Sequence, residues 1–317
     1  MLGEMAAQAR RGYAVGPSPT LAEWLERWLE VIRGTVRHTT WGTYARAAAT
    51  LSELLGRIRL ADLRASHIEE ALAGLPWSPH TIAGLRSVLR TALSLAVRDR
   101  LIPDNPAALA RLRTTGARRE PPTADDVRRL IRALEGHRLQ PLIVLLATTG
   151  LRLGEALGLR WSDIEDDRLH VRWQLVRAPA DADEPYALGA PKTPSSRRTV
   201  LLPPVAREAL RQHRLRQAEE LLALGIGRPA HDLVFTSHRG GPLAPSTVYA
   251  VLEATGSRVR PHDLRRFAAT VAAGTGDLLA AQALLGHASA RLTSERYAAT
   301  TEAALRRAAD AAQEVLG

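Results

Sequence analysis

Apolar positions along the chain recur mostly at helical spacing. Leu21, Trp24, Leu25, Trp28, Leu29 and Ile32 fall on one stripe, with Thr20 and Glu23 placed ahead of them as a capping box. The same spacing predicts helices over Thr40–Leu55, Ala65–Leu75 and Ser78–Asp99. Val15-Gly-Pro-Ser-Pro19, Asn105-Pro106 and the polar stretch Arg113–Pro122 break the pattern and read as linkers. Beyond them the pattern is mixed. Helices are expected from Thr123 to about Glu135, over Gln140–Thr148 and over Leu151–Leu159, the last bounded by Gly150. Leu169–Val176, Arg198–Leu202 and Leu233–Ser237 alternate like strands. Six more helices follow, over Pro204–Leu224, Ser246–Ala254, His262–Ala273, Asp277–Leu285, Ser289–Ala299 and Glu302–Val315. The reading is a stub and linker at 1–19, an all-α domain at 20–112, a linker at 113–122, and an α-rich α+β domain with a small antiparallel sheet at 123–317.

Charge adds a partner to this picture. Among 317 residues, 43 basic side chains face 33 acidic ones, a net charge of +10, and a nucleic acid is the first partner to expect. Residues 1–113 hold 15 basic and 10 acidic side chains, so both domains share the excess and both could face a polyanion. The absence of cysteine excludes disulfide frameworks, Cys-ligated zinc and iron–sulfur clusters. The longest apolar run, Leu142–Ala147, is far short of the ~18–20 residues that span a bilayer. Met1–Thr20 lacks the apolar centre of a signal peptide, so a cytoplasmic location is expected.

Five segments carry candidate chemistry: Thr149-Gly-Leu-Arg-Leu-Gly-Glu-Ala-Leu157, Lys192-Thr-Pro-Ser-Ser-Arg-Arg198, His262-Asp-Leu-Arg265, Leu285-Gly-His287 and Tyr297. Each alone has a tame explanation. Arg152 and Glu155 could be a surface ion pair, Lys192 an exposed hairpin charge, His287 a helix cap and Tyr297 a core residue. Together they form one kind of tool. Guanidiniums fork onto phosphate oxygens and stay charged, and imidazoles bond or move protons near neutrality. An ammonium can protonate a leaving alkoxide, and a tyrosine whose pKa is lowered is a nucleophile. The set reads as phosphoryl transfer through a covalent phosphotyrosine, with side chains in place of a metal. Competing sites fail on their residues: Pro191 stands where a P-loop needs glycine, and there is no His-Glu-x-x-His, Gly-x-Gly-x-x-Gly or Gly-x-Ser-x-Gly.

In these motifs the chain resembles the tyrosine recombinases of the phage-integrase family. That family has Thr-Gly-Leu-Arg-x-x-Glu, a hairpin lysine before Thr and Ser-x-Arg, His-x-Leu-Arg, Leu-Gly-His, and a tyrosine ten residues later. Arg152, Lys192, His262, Arg265, His287 and Tyr297 match in order and spacing. The match runs through about residues 123–300, while Thr20–Leu112 resembles the helical, SAM-like core-binding domain less specifically. One departure is Arg266, where the family usually has histidine. Another is the start of the chain, where 19 residues are too few for the arm-site domain of larger integrases.

The resemblance implies a clamp on duplex DNA, with Tyr297 attacking a scissile phosphate to give a 3′-phosphotyrosyl link and a free 5′-hydroxyl. Arg152 and Arg265 would hold the non-bridging oxygens, and Lys192 would protonate the leaving oxygen. His262 would move a proton with the tyrosine, His287 would bind phosphate, and Glu155 would support. Further DNA contacts are expected at Arg37, Thr40, Arg86, Arg90, Arg197 and Arg266. No metal or other cofactor is expected. The implied partners are duplex attachment sites and a homotetramer on DNA, together with an excisionase or host DNA-bending factor. The terminal helix, with Ala304, Leu305, Ala308, Ala309, Ala312 and Val315 on one stripe, is expected to dock on a neighbouring subunit, with packing onto its own domain as the alternative. The alternatives are a Xer-type resolvase, a type IB topoisomerase-like strand transferase and a catalytically silent DNA-binding protein. Lysine usage agrees with the implied chemistry: Lys192 is the one lysine beside 42 arginines, at the position where a releasable proton is wanted.

Overall fold

The computed structural model describes residues 18–112, 120–179, 182, 184–191, 196–274 and 295–317, with side chains of the last helix from residue 305 onward. The chain divides into two compact units, Met1–Arg118 and Arg119–Gly317.

The first unit is built from helices. In α1 (Leu21–Ile32) the reciprocal cap forms: Thr20 Oγ1 accepts the Glu23 N–H at 3.3 Å, and Glu23 Oε2 accepts the Thr20 N–H at 2.8 Å. Its buried face carries Leu21, Trp24, Leu25 and Trp28. The Trp24 indole N–H is satisfied by the Ala92 carbonyl at 3.0 Å, so the ring is buried without stranding a donor. Next come α2 (His38–Leu55), α3 (Ala65–Ala73) and α4 (Pro79–Arg98). Tyr44 of α2 packs its ring 5.2 Å from that of Trp28. Ser78 caps α4 through the Thr81 N–H, and Pro79 fills the first turn, where its missing donor costs nothing. A short α5 (Pro106–Leu109), capped by Asn105, was not expected, because four residues carry no period.

The core of the second unit is α7 (Gln140–Thr149), whose residues from Pro141 to Thr149 are all buried, as a helix apolar all round must be. It follows α6 (Ala124–Ala133), capped by Thr123 and Asp126. Gly150 ends α7 at φ 62°, a left-handed turn that glycine adopts without strain. The helix expected over Leu151–Leu159 shrinks to α8 (Leu153–Leu157), because Arg152 is extended and serves as its N-cap. A Cβ on Gly158 would lie 2.7 Å from the Gln174 backbone, so α8 reaches the neighbouring strand only with glycine there.

The strand expected over Leu169–Val176 is two strands in different sheets. β1 (Ile164–Glu165), β2 (Arg168–Val171) and, later in the chain, Arg198–Leu201 form an antiparallel sheet in the order first, second, last. β3 (Gln174–Arg177) pairs instead with β4 (Tyr186–Gly189), which the pattern did not announce, and Arg198–Leu201 is β5. Alternation continues unbroken through Arg172 and Trp173, so the change of partner leaves no mark in the sequence. Leu233–Ser237 is not a strand either; it makes only isolated bridges, at Leu233 and Thr236. Side chains of α9 (Pro204–Ala223) replace the ladder: Gln217 Nε2 donates to the Leu233 and Val234 carbonyls, and His213 Nε2 donates to Val234.

The remaining helices are α10 (Pro245–Ala254), α11 (Pro261–Gly274) and α12 (Glu295–Leu316). The expected helix Asp277–Leu285 lies outside the described residues, as does the start of Ser289–Ala299. From Glu295 onward the two expected terminal helices are one, since Thr300-Thr301 is no breaker. Within the chain, α12 packs on its own unit, against α7, α11 and β5. Ala308, Ala309 and Ala312 are buried there. Gln313 Oε1 accepts the Val205 N–H at 2.7 Å, Arg128 Nε donates to the Val315 carbonyl at 2.9 Å, and Arg306 pairs with Asp167 at 3.3 Å. Among the described residues, no helix is long and apolar enough to cross a membrane.

Candidate active site

The α7–α8 corner positions the first arginine. Glu155, at the third position of α8, turns back on its own N-cap: Oε2 accepts the Arg152 backbone N–H at 3.0 Å and Oε1 accepts Arg152 Nη1 at 2.7 Å. The surface-pair reading of these two residues therefore falls. The Glu155 side chain is 1% exposed and that of Arg152 is 41% exposed, so the carboxylate anchors and the guanidinium faces outward.

A third arginine joins them. Arg198, at the start of β5, donates from Nη2 to Glu155 Oε2 at 3.0 Å and from Nη1 to the Ser196 carbonyl at 3.1 Å. Buried Ser196 offers its Oγ to Arg152 Nη1 at 3.4 Å. Burial alone would raise the Glu155 pKa; the charge and hydrogen bond of Arg198, together with the Arg152 donors, overcome it and hold the carboxyl below its ordinary range. Sequence reasoning kept Arg197 and passed over Arg198. Consecutive residues entering a strand point to opposite faces, but alternation alone does not say which of the two turns inward. Arg197 is exposed, while the Arg198 side chain is 8% exposed.

Arg265 comes from α11, on the far side of the α7–α8 corner. Its Nη1 donates to the Gly150 carbonyl at 2.5 Å, two residues before Arg152. Burial first, then the charges of Arg152 and Arg198, push its pKa down to about 10. It is still protonated at neutral pH, and it adds a third guanidinium beside the two that bond Glu155. Such a cluster is built to receive an anion.

The other expected residues fall as follows. His262 lies in the first turn of α11 and is exposed, whereas Arg265, three residues on, is buried. Arg266 is half-buried, its Nη1 3.8 Å from Asp263. Tyr297 falls on α12, but its side chain, like Lys192 and His287, lies outside the described residues. Next to the arginine cluster an open groove of about 470 Å³ is lined by His170, Arg172, Trp173, Arg197, Arg198 and Thr199, a cationic surface with one aromatic face. In the first unit Arg37 and Arg90 are exposed and Thr40 is half-buried. Arg86 is partly spent on the fold, donating to the Ala110 carbonyl at 2.6 Å.

The fold and its arginine cluster suit a protein that handles phosphodiesters. Residues 122–304 match the phage integrase family, and residues 20–75 match the N-terminal SAM-like domain of phage integrases. The chain belongs to the phage integrase family and is a site-specific tyrosine recombinase, which breaks and rejoins DNA with a tyrosine nucleophile. It is 30% identical to a XerC-like tyrosine recombinase of Caldanaerobacter subterraneus subsp. tengcongensis, over 88% of this chain and 78% of that protein. It is 26% identical to the integrase of Mycobacterium phage L5, over 93% of this chain and 79% of the relative. Its fold is similar to that of the Tn1549 transposon integrase solved with a circular intermediate DNA: TM-score 0.72 at 20% identity, covering 90% of this chain and 99% of the other.

Proposed function

We propose that this recombinase integrates and excises a mobile element, with Tyr297 as the nucleophile and Arg152 and Arg265 holding the scissile phosphate. The observation that carries the reading is the convergence of Arg265 on Gly150, beside an Arg152 whose guanidinium is anchored at one end and outward at the other. Two fixed forks can grip both non-bridging oxygens and stabilise the charge that grows as the tyrosine oxygen bonds to phosphorus. The bond to the 5′-oxygen then breaks, and Lys192 gives that oxygen its proton. His262 takes the tyrosine proton, and His287 adds a hydrogen bond to phosphate. Because the phosphotyrosyl ester conserves the bond, the reverse attack by a 5′-hydroxyl from another duplex completes exchange with no outside energy source.

Arg197 and Arg266 would touch backbone phosphates near the site, and Arg37, Thr40, Arg86 and Arg90 would do so from the first unit. Domain limits at 20–112 and 123–317 suit this division of labour. Exchange between two duplexes cuts four strands, so the working unit would be a homotetramer on DNA in the cytoplasm. An excisionase or DNA-bending factor would set its direction. The XerC-like relative supports a second reading, resolution of chromosome or plasmid dimers. The test is strand joining between two labelled duplexes that carry the junction sequences of a resident element. Joining at those junctions supports the integrase reading; joining only at dimer-resolution sites supports the second. Relaxation of supercoils without joining overturns both.

A further inference from the structure

Glu155 serves two arginines, and the way it is shared has a mechanical consequence. A carboxylate and a guanidinium left alone prefer a fork-to-fork pair with two parallel hydrogen bonds. Here that pair cannot form between Glu155 and Arg152. Oε2 is already taken by the Arg152 backbone N–H at 3.0 Å and by Arg198 Nη2 at 3.0 Å, which leaves Arg152 only Oε1, at 2.7 Å. Arg152 is thus held by one corner of its guanidinium, and the group stays partly exposed. Arg198, by contrast, is mostly buried, and its other arm donates to the Ser196 carbonyl at 3.1 Å.

We propose that Arg198 is a positioning residue for the reaction, acting through Glu155. By occupying Oε2 it keeps Arg152 from closing onto the carboxylate, and so keeps the outer N–H groups of Arg152 presented to phosphate. This rests on the reading above in which Arg152 holds the scissile phosphate. Without Arg198, Arg152 is the one guanidinium still hydrogen-bonded to the buried Glu155 carboxylate, and the carboxylate draws it inward. A retreat of about 1 Å by a phosphate-holding group suffices to cost about 100-fold in rate.

The test is single-turnover formation of the covalent adduct on a nicked duplex at saturating DNA, with affinity measured separately. Arg198→Met is expected to slow adduct formation about 10- to 100-fold while DNA affinity stays within about threefold. Adding Glu155→Gln to Arg198→Met removes the charge that captures Arg152, and the double variant is expected to react at least about threefold faster than Arg198→Met alone. A merely structural role gives no such recovery, since the second change adds damage. A wild-type rate for Arg198→Met overturns the proposal, as does a double variant no faster than the single one. If Arg198→Met fails to fold, Arg198→Lys takes its place. One ammonium blocks Oε2 less completely than the fork, so a smaller loss with the same recovery by Glu155→Gln is expected, and the same two outcomes overturn the proposal. Failure of the wild-type chain to form any adduct strikes the functional reading instead, which keeps the two failures apart.

Discussion

At the scale of single residues, the chemistry turns on which side chains can release a proton and which cannot. Lys192 is the one lysine in a chain with 42 arginines, and arginine holds its proton too firmly to serve a leaving alkoxide. Lys192→Arg is expected to slow strand cleavage about 100-fold or more while leaving DNA affinity unchanged, read from single-turnover adduct formation. Cleavage at the wild-type rate would make Lys192 a bystander. His213 makes a different residue-scale prediction. Its Nε2 donates to the Val234 carbonyl at 2.7 Å, its Nδ1 has no partner, and burial holds its pKa below the ordinary range. The unfolded chain takes up a proton as pH falls through about 6.5, while the folded chain resists it, so stability should decline on acidification below that point. His213→Phe keeps a ring against Phe235 and leaves the Val234 carbonyl to Gln217, so its urea midpoints should fall less steeply between pH 7 and 5 than those of the wild type. Parallel slopes would exclude His213 as the source. Arg152 and Arg265 stand out in the sequence because their neighbours form motifs. Arg198 does not, because its importance lies in a contact 43 residues back along the chain, with Glu155.

Elements were legible where one face is buried and obscure where the partner decides. The stripe of α1 and its cap could be read residue by residue, as could the glycine stop after α7. The division of Leu169–Val176 between two sheets could not, because alternation reports exposure and not which strand lies alongside. Leu233–Thr236 are buried in a row, yet side-chain amide and imidazole donors satisfy the Leu233 and Val234 carbonyls where a strand would have a neighbour. The terminal helix was legible as amphipathic, but a stripe of alanines does not say whose core it meets. Because α12 lies on its own unit, enlarging a buried alanine should weaken that unit itself. Ala308→Leu is expected to cost about 1–3 kcal/mol in denaturant melts. A wild-type midpoint would mean that the helix packs elsewhere in solution.

For the whole molecule, the excess of positive charge becomes a statement about DNA. Binding should weaken steeply with salt as phosphate contacts release counterions. Arg197, exposed at the lip of the groove beside the arginine cluster, should account for about one unit of the slope of log K against log salt, lost in Arg197→Ala. An unchanged slope would remove Arg197 from the interface. The family was legible in the sequence because Arg152, Lys192, His262, Arg265, His287 and Tyr297 stand in the order and spacing of its motifs. The claim on which the rest depends is the covalent one. A nicked suicide substrate, from which the cut end diffuses away, should trap the wild-type chain on DNA as a covalent adduct and should trap none of Tyr297→Phe. An adduct that persists in Tyr297→Phe, or none from the wild type, would contradict the assignment of Tyr297 as the nucleophile.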